Sequence, residues 1–191
     1  TLFRSEKRDL EWWGEQFPTE PHFASMNPAP SKEYIKGKNY GKGLTLLQMR
    51  AISLPLRIPA ELVQRVSNNA LENNIAPQLY YFLALRTYLA MNSGCDDVIV
   101  GTTGARRSTK YAKDCGMTVD HMVLWRSDIP KDCSFKDALF KLSLIQKDSY
   151  RHINAALSDY ETPMHKKFCK PNDAIYRSVV FTYQPYFNIE N

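Results

Sequence analysis

Apolar residues recur along this chain in two rhythms, one suited to helices and one to strands. Residues 6–17, EKRDLEWWGEQF, place Leu10, Trp13 and Phe17 three and four apart, which predicts a helix with one apolar stripe, stopped by Pro18. Residues 18–43 hold Pro18, Pro21, Pro28 and Pro30, then Gly37, Gly41 and Gly43, and predict a linker or a long surface loop. Such a length is unusual inside a compact domain, so the segment is expected to cross between parts of something larger. Residues 44–57, LTLLQMRAISLPLR, are apolar and poor in helix signals; they predict a strand with Pro55 near its end. Pro59 then opens a helix whose buried stripe would be Leu62, Val66 and Leu71. Residues 76–93 predict a second helix, apolar nearly all round and therefore deep in the core, with Gly94 as its C-cap.

Asp97-Val98-Ile99-Val100-Gly101 is a short apolar run between turn residues, as in a central strand. Residues 117–127 alternate imperfectly and predict a further strand. Ser134 followed by Asp137 marks the N-terminus of a helix over 134–150. Residues 155–168 are expected to be helical in part, interrupted by Pro163, and residues 176–183 to form a strand of β-branched and aromatic residues. The mixed order of elements, without internal repeat, predicts an α/β two-layer sandwich: a mixed β-sheet with helices mainly on one face.

At 191 residues the chain suits one domain or two small lobes, and 43% hydrophobic with 24% charged residues is a globular composition. No apolar run reaches the roughly 18 residues of a membrane helix; the longest candidate, Leu79 to Met91, is broken by Arg86. The opening lacks a signal peptide, and its start at Thr1 suggests a processed or excised chain. Cys95, Cys115, Cys133 and Cys169 contain no C-x-x-C pair, so neither zinc nor disulfide staples are expected, and reduced thiols fit a cytoplasmic protein. The net charge of +5 permits anionic partners, but no nucleic-acid signature accompanies it. The basic clusters at Arg106, Arg107, Lys110 and Lys113 and at His165, Lys166, Lys167 and Lys170 fit either a solvated face or a phosphate-binding patch.

Candidate chemistry is sparse. His22 belongs to the Pro-rich loop, His165 lies among lysines, and His152 falls at a helix end. His121 follows Asp120 in a strand, so the two face opposite sides unless a bulge intervenes. Both a buried, hydrogen-bonded histidine and a catalytic one fit that position. The segment Gly101-Thr102-Thr103-Gly104-Ala105-Arg106-Arg107 is either a flexible anion-binding loop or an ordinary strand exit. The chain contains no G-x-S-x-G, Walker A, H-E-x-x-H, G-x-G-x-x-G or H-x-x-x-D sequence.

Several segments together resemble the condensation domains of non-ribosomal peptide synthetases. Residues 75–107, with their apolar helix and CDDVIVGTTGARR, resemble the stretch leading into "G-x-D-D-V-V-V-G-T" and a loop Arg. Residues 116–126, GMTVDHMVLWR, are similar to "I-G-x-F-V-N-T-L-x-L-R", residues 150–163 to the "H-Q-D-x-P-F-E" segment, and residues 177–184 to the strand after "S-R-N-P-L". The opening helix is similar to the "Y-W-x-x-x-L" helix that leaves the first half of such domains. The set follows family order and spans nearly the whole chain.

The resemblance implies residues 1–43 as an N-terminal helix and Pro/Gly-rich inter-lobe linker. Residues 44–191 would be the C-terminal lobe of a chloramphenicol-acetyltransferase-like fold, incomplete at its C-terminus. It implies amide-bond formation in secondary metabolite biosynthesis between thioesters carried on phosphopantetheine arms. The implied partners are carrier protein domains and the missing N-terminal lobe, with self-association of a fragment through a sheet edge or apolar patch. By motif, Gly116, Val119, Asp120 and His121 fall at the lobe junction or substrate tunnel, Arg107 at the loop Arg, and Pro163 at the Pro of "H-Q-D-x-P". Asp120 stands for the family's Asn, Thr118 for its Phe, and Trp125 displaces the motif's Arg by one place to Arg126. The family's catalytic H-H-x-x-x-D-G is absent from this chain, so no catalytic residue is assigned and the fragment is expected to be inactive alone. A coenzyme A-dependent acyltransferase of the same fold and a non-catalytic carrier-docking module are the alternatives.

Overall fold

The computed structural model of the chain describes residues 2–22, 54–104, 121–153, 155–169 and 179–184. Helix α1 (Leu2–Glu15) leads the chain, followed by α2 (Ala60–Glu72) and α3 (Gln78–Ser93). Strands β1 (Asp97–Gly104) and β2 (His121–Asp128) come next, then α4 (Phe135–Arg151), α5 (Leu157–Lys167) and β3 (Val180–Phe181). The sheet order is β2-β1-β3. β1 runs antiparallel to β2, from Asp97↔Asp128 to Gly104↔His121, and parallel to β3 through Gly101↔Val180 and Thr102↔Phe181. This is the mixed α/β sheet that the order of elements predicts, with β1 at its centre.

The core grows from the predicted apolar runs. Val98, Ile99 and Val100 of β1 and Val123, Leu124 and Trp125 of β2 are all buried, so both faces of the hairpin are covered. Phe82 of α3 meets the Trp125 ring edge-on at 4.9 Å between centroids and Phe181 at 5.5 Å. Neighbours in a strand point to opposite faces, and Phe17, just past α1, lies against Arg126 with the guanidinium carbon 5.8 Å from its ring centroid. Trp13 of α1 stacks on Tyr160 of α5 at 4.7 Å.

Local signals set the ends of these elements. Gly94 takes the left-handed conformation, φ 68°, and its N–H donates to the Ala90 carbonyl, closing α3. The Ser134 hydroxyl accepts from the Asp137 N–H at 3.1 Å and caps α4. Buried Arg86 donates to the carbonyls of Asp96, Ser127 and Ile129 and ties α3 to the Asp97/Asp128 end of the hairpin.

Four expectations need correction. Residues 54–57, the described part of the predicted 44–57 strand, join no ladder, and Leu54 and Leu56 stand out in solvent. Helix α2 forms where Pro59 predicts it, yet Leu62 is 46% and Leu71 84% exposed, and only Ala70 is buried. Helix periodicity identifies a stripe but not what covers it. Helix α3 is not covered on every side, because Tyr88 and Met91 are exposed. Finally, Pro163 does not interrupt α5, which runs unbroken from Leu157 to Lys167. The missing N–H leaves only the Asp159 carbonyl, one turn earlier, without its helical partner, and burial of Tyr160, Met164 and His165 holds the helix together. The strand expected over 176–183 is Val180–Phe181 among the described residues; residues 176–178 lie outside them.

Replacing Ser134 with Ala is expected to lower stability by about 1 kcal/mol, measured by chemical denaturation, because one first-turn N–H of α4 loses its acceptor. Gly104→Ala is expected to cost a similar amount, about 1 kcal/mol, since a Cβ there would collide with the buried Ile153 side chain.

Candidate functional site

The β1–β2 hairpin organises two hollows. Eight residues per strand separate its ends by about 24 Å, so these are distinct places. The larger hollow, about 360 Å³, lies at the Asp97/Asp128 end between α1, the hairpin and α4. Trp12, Trp13, Leu124 and Ile145 give it apolar walls, and Asp97, Asp128, Asp148 and Arg126 its charge.

Arg126 spends four of its five N–H groups there. Its Nε donates to Asp97 Oδ1 at 2.9 Å and its Nη2 to Asp97 Oδ2 at 2.6 Å, a paired fork. Its Nη1 donates to the Thr19 carbonyl at 2.9 Å and its Nη2 to the Thr19 hydroxyl at 2.8 Å. The guanidinium therefore fastens the segment after α1 to the sheet and is not left to bind a substrate anion. At the same end, burial lowers Arg86 from its ordinary value, while Asp96, Asp128, Asp97 and Cys133 pull it back up.

The histidine best placed for chemistry is one the sequence ascribes only to a helix end. His152 Nδ1 lies 2.9 Å from Oδ1 of Asp9, whose side chain is fully buried. Trp12 stacks on the imidazole at 4.4 Å, and Trp13 Nε1 donates to the His152 carbonyl at 2.9 Å. A carboxylate that orients an imidazole is one half of a general-base device. Neither hollow is lined by His152, however, and the arrangement ties α1 to the end of α4. One signal in the sequence points to it: Asp9 lies four residues before Trp13 and eight before Phe17, on the buried stripe, where a charge needs a partner.

The smaller hollow, about 40 Å³, lies towards the other end of the hairpin. Thr102 and Thr103 of β1, Trp125 of β2, Gln78 of α3, Tyr150 of α4, Phe181 of β3 and Tyr183 line it, so five elements and the residues after β3 converge. Burial pushes the Tyr150 phenol above its ordinary value of 10.0, against side-chain hydrogen bonds with Gln146 and Gln78 that favour the phenolate.

Of the six sequence-predicted site residues, two are described, His121 and Pro163. Arg107, Gly116, Val119 and Asp120 fall on the connection from β1 to β2, outside the described residues. His121 opens β2, its backbone paired with Gly104. Pro163 lies inside α5 and lines neither hollow. The described residues hold no group of three or more His, Cys, Asp or Glu side chains able to bind a metal, and no helix among them is long and apolar enough to cross a membrane.

The alkaline stability of the fold should report on Tyr150. The folded state holds the phenol proton more tightly than the unfolded chain does, so this contribution is complete below pH 10.0 and is lost as the pH rises beyond it. Wild type is expected to lose stability more steeply above pH 10 than Tyr150→Phe, as read from denaturant midpoints. Asp97→Ala should lower stability by about 2 kcal/mol, by leaving a largely covered guanidinium without its charged acceptor.

No family model matches the chain, and no curated protein matches it. Solved structures do. The first condensation domain of the calcium-dependent antibiotic synthetase, in complex with substrate analogue 3a, superposes with a TM-score of 0.66 at 16% identity, over 96% of this chain and 36% of that one. The first condensation domain of the CDA synthetase gives 0.68 at 14% identity, over 96% and 36%. The complex with substrate analogue 2a gives 0.65 at 15%, over 95% and 38%. This chain spans little more than a third of their length, and over that span its fold is the one found in condensation domains, which is chloramphenicol-acetyltransferase-like.

Proposed function

We propose that this chain is the C-terminal lobe of a non-ribosomal peptide synthetase condensation domain, which joins carrier-bound aminoacyl or peptidyl thioesters through an amide bond. The observation that carries this reading is the superposition over 96% of the chain, running through the same segments whose motifs resemble the family. In the reaction, the amine nitrogen of one thioester attacks the carbonyl carbon of the other. The C–N bond forms, the phosphopantetheine thiolate leaves, and a base takes the amine proton. H-H-x-x-x-D-G, which serves proton handling in the family, is absent from this chain, so its part is positioning. Holding two tethered reactants in near-attack geometry is itself a large source of rate. The β1–β2 connection, with Arg107, Gly116, Val119, Asp120 and His121, is the part of this lobe that would border the tunnel for the pantetheine arms.

Carrier domains are commonly acidic, and the +5 charge of this chain suits them. The chain is expected to bind an aminoacyl carrier at low salt, to release it as salt rises, and to form no amide by itself. Titration with a loaded carrier, together with a thioester turnover assay, tests both points. Absence of binding at low salt would remove the carrier from the reading. Turnover of acyl-coenzyme A by this chain alone would favour the free-standing acyltransferase.

Self-association belongs to the same reading. Leu54, Leu56, Leu62 and Leu71 expose apolar side chains on α2 and the segment before it. Sedimentation at rising concentration should show a dimer or larger species in wild type, and a shift towards monomer in the Leu62→Glu/Leu71→Glu double variant. A strictly monomeric wild type would count against it.

A further inference from the structure

The indole of Trp125 poses a physical problem. Its Nε1 is buried without a hydrogen-bond partner among the described residues, in a side chain only 1% exposed. A buried donor left unmade is costly, so an acceptor is called for. The ring lines the smaller hollow, whose volume of about 40 Å³ exceeds the roughly 10–15 Å³ that one water requires. Around it stand Thr102, Thr103, Gln78, Tyr150 and Tyr183, which carry hydroxyl and amide groups, together with the apolar ring of Phe181, and no charged side chain lines the space. A neutral lining offers an ion nothing to offset its desolvation, whereas a neutral oxygen would meet several hydrogen-bonding groups.

We propose that this hollow is a binding site for a neutral oxygen acceptor, held by the Trp125 N–H and the surrounding hydroxyl and amide groups. In the free protein the acceptor is an ordered water. The carbonyl oxygen of a small amide has the same accepting chemistry and can take its place. The assignment rests on the orphaned indole and the hollow alone, and stands whether or not the chain takes part in amide synthesis.

The chain has three tryptophans, so its indole N–H signals can be resolved one by one in a ¹⁵N-labelled sample of the full chain. Trp125→Phe assigns the third signal. If that variant does not fold, Trp12→Phe and the through-space contact of Trp125 with Phe82 assign it instead. Trp13 is the internal control, because its Nε1 already donates to the His152 carbonyl. The expected result is a water-to-indole cross-relaxation peak at Trp125 and none at Trp13. Added N-methylacetamide then distinguishes the sources. A saturable shift at Trp125, with loss of the water peak, shows that the site also accepts a carbonyl; a water peak that survives the amide shows a resident water only, and removes the carbonyl part of the proposal. If Trp125 shows neither a water peak nor an amide shift, the hollow is dry and the proposal is overturned. A denaturation midpoint that rises in Trp125→Phe would overturn it too, since it would mean that removing an unsatisfied donor had relieved the fold.

Discussion

A buried guanidinium holds the open end of the hairpin. Arg86, 4% exposed on α3, donates to carbonyls of Asp96, just before β1, of Ser127, the last but one residue of β2, and of Ile129, just after it. The Asp96 carbonyl also accepts the Ile129 N–H at 3.5 Å, and buried carbonyls call for hydrogen-bond donors. One cation serves three of them and so fixes the helix to both strands at once. Such a group is costly to bury, and the nearby carboxylates of Asp96, Asp128 and Asp97 offset part of the cost. Arg126 works beside it by a different route, fastening the segment after α1 through Asp97 and Thr19. The hairpin is thereby locked at this end by two arginines with different partners.

Much of the fold is legible in the sequence, because local rules and burial agree there. Ser134 with Asp137, Gly94, and the Val98–Val100 run each act within a few residues of themselves, and each appears where expected. The α2 stripe fails because periodicity says only that one face differs from the other; cover comes from the rest of the fold. Pro163 misleads for the same reason in reverse, since tertiary packing of Tyr160, Met164 and His165 outweighs one missing hydrogen bond. Arg86 shows the limit most plainly. In the sequence it is an interruption in an apolar helix, and its partners lie 10 to 43 residues away.

The candidate site was legible only through family motifs and topology. Gly104↔His121 is the last described pair before the connection in which Arg107, Gly116, Val119 and Asp120 fall, and those four lie outside the described residues. Asp9 and His152, 143 residues apart, could not be joined from pattern, although a carboxylate on the buried stripe of α1 requires some partner. Trp125 offers no sequence signal beyond its departure from the motif. Its unmade hydrogen bond exists only once β2 has been buried under α3.

These placements divide the hairpin into two ends with different physics. At the Asp97/Asp128 end, described charges lie close together and several are spent on one another: Arg126 on Asp97, and Arg86 on backbone dipoles. Towards the Gly104/His121 end, the hollow is lined by neutral side chains, most of them with hydrogen-bonding groups, and Ile153 leaves no room for a side chain at Gly104. A site that moves protons needs groups that change charge near neutral pH. A site that positions a reactant needs fixed, neutral hydrogen-bonding groups on a rigid frame, because orientation is lost if the frame yields. The described surroundings of the second end meet the latter demand.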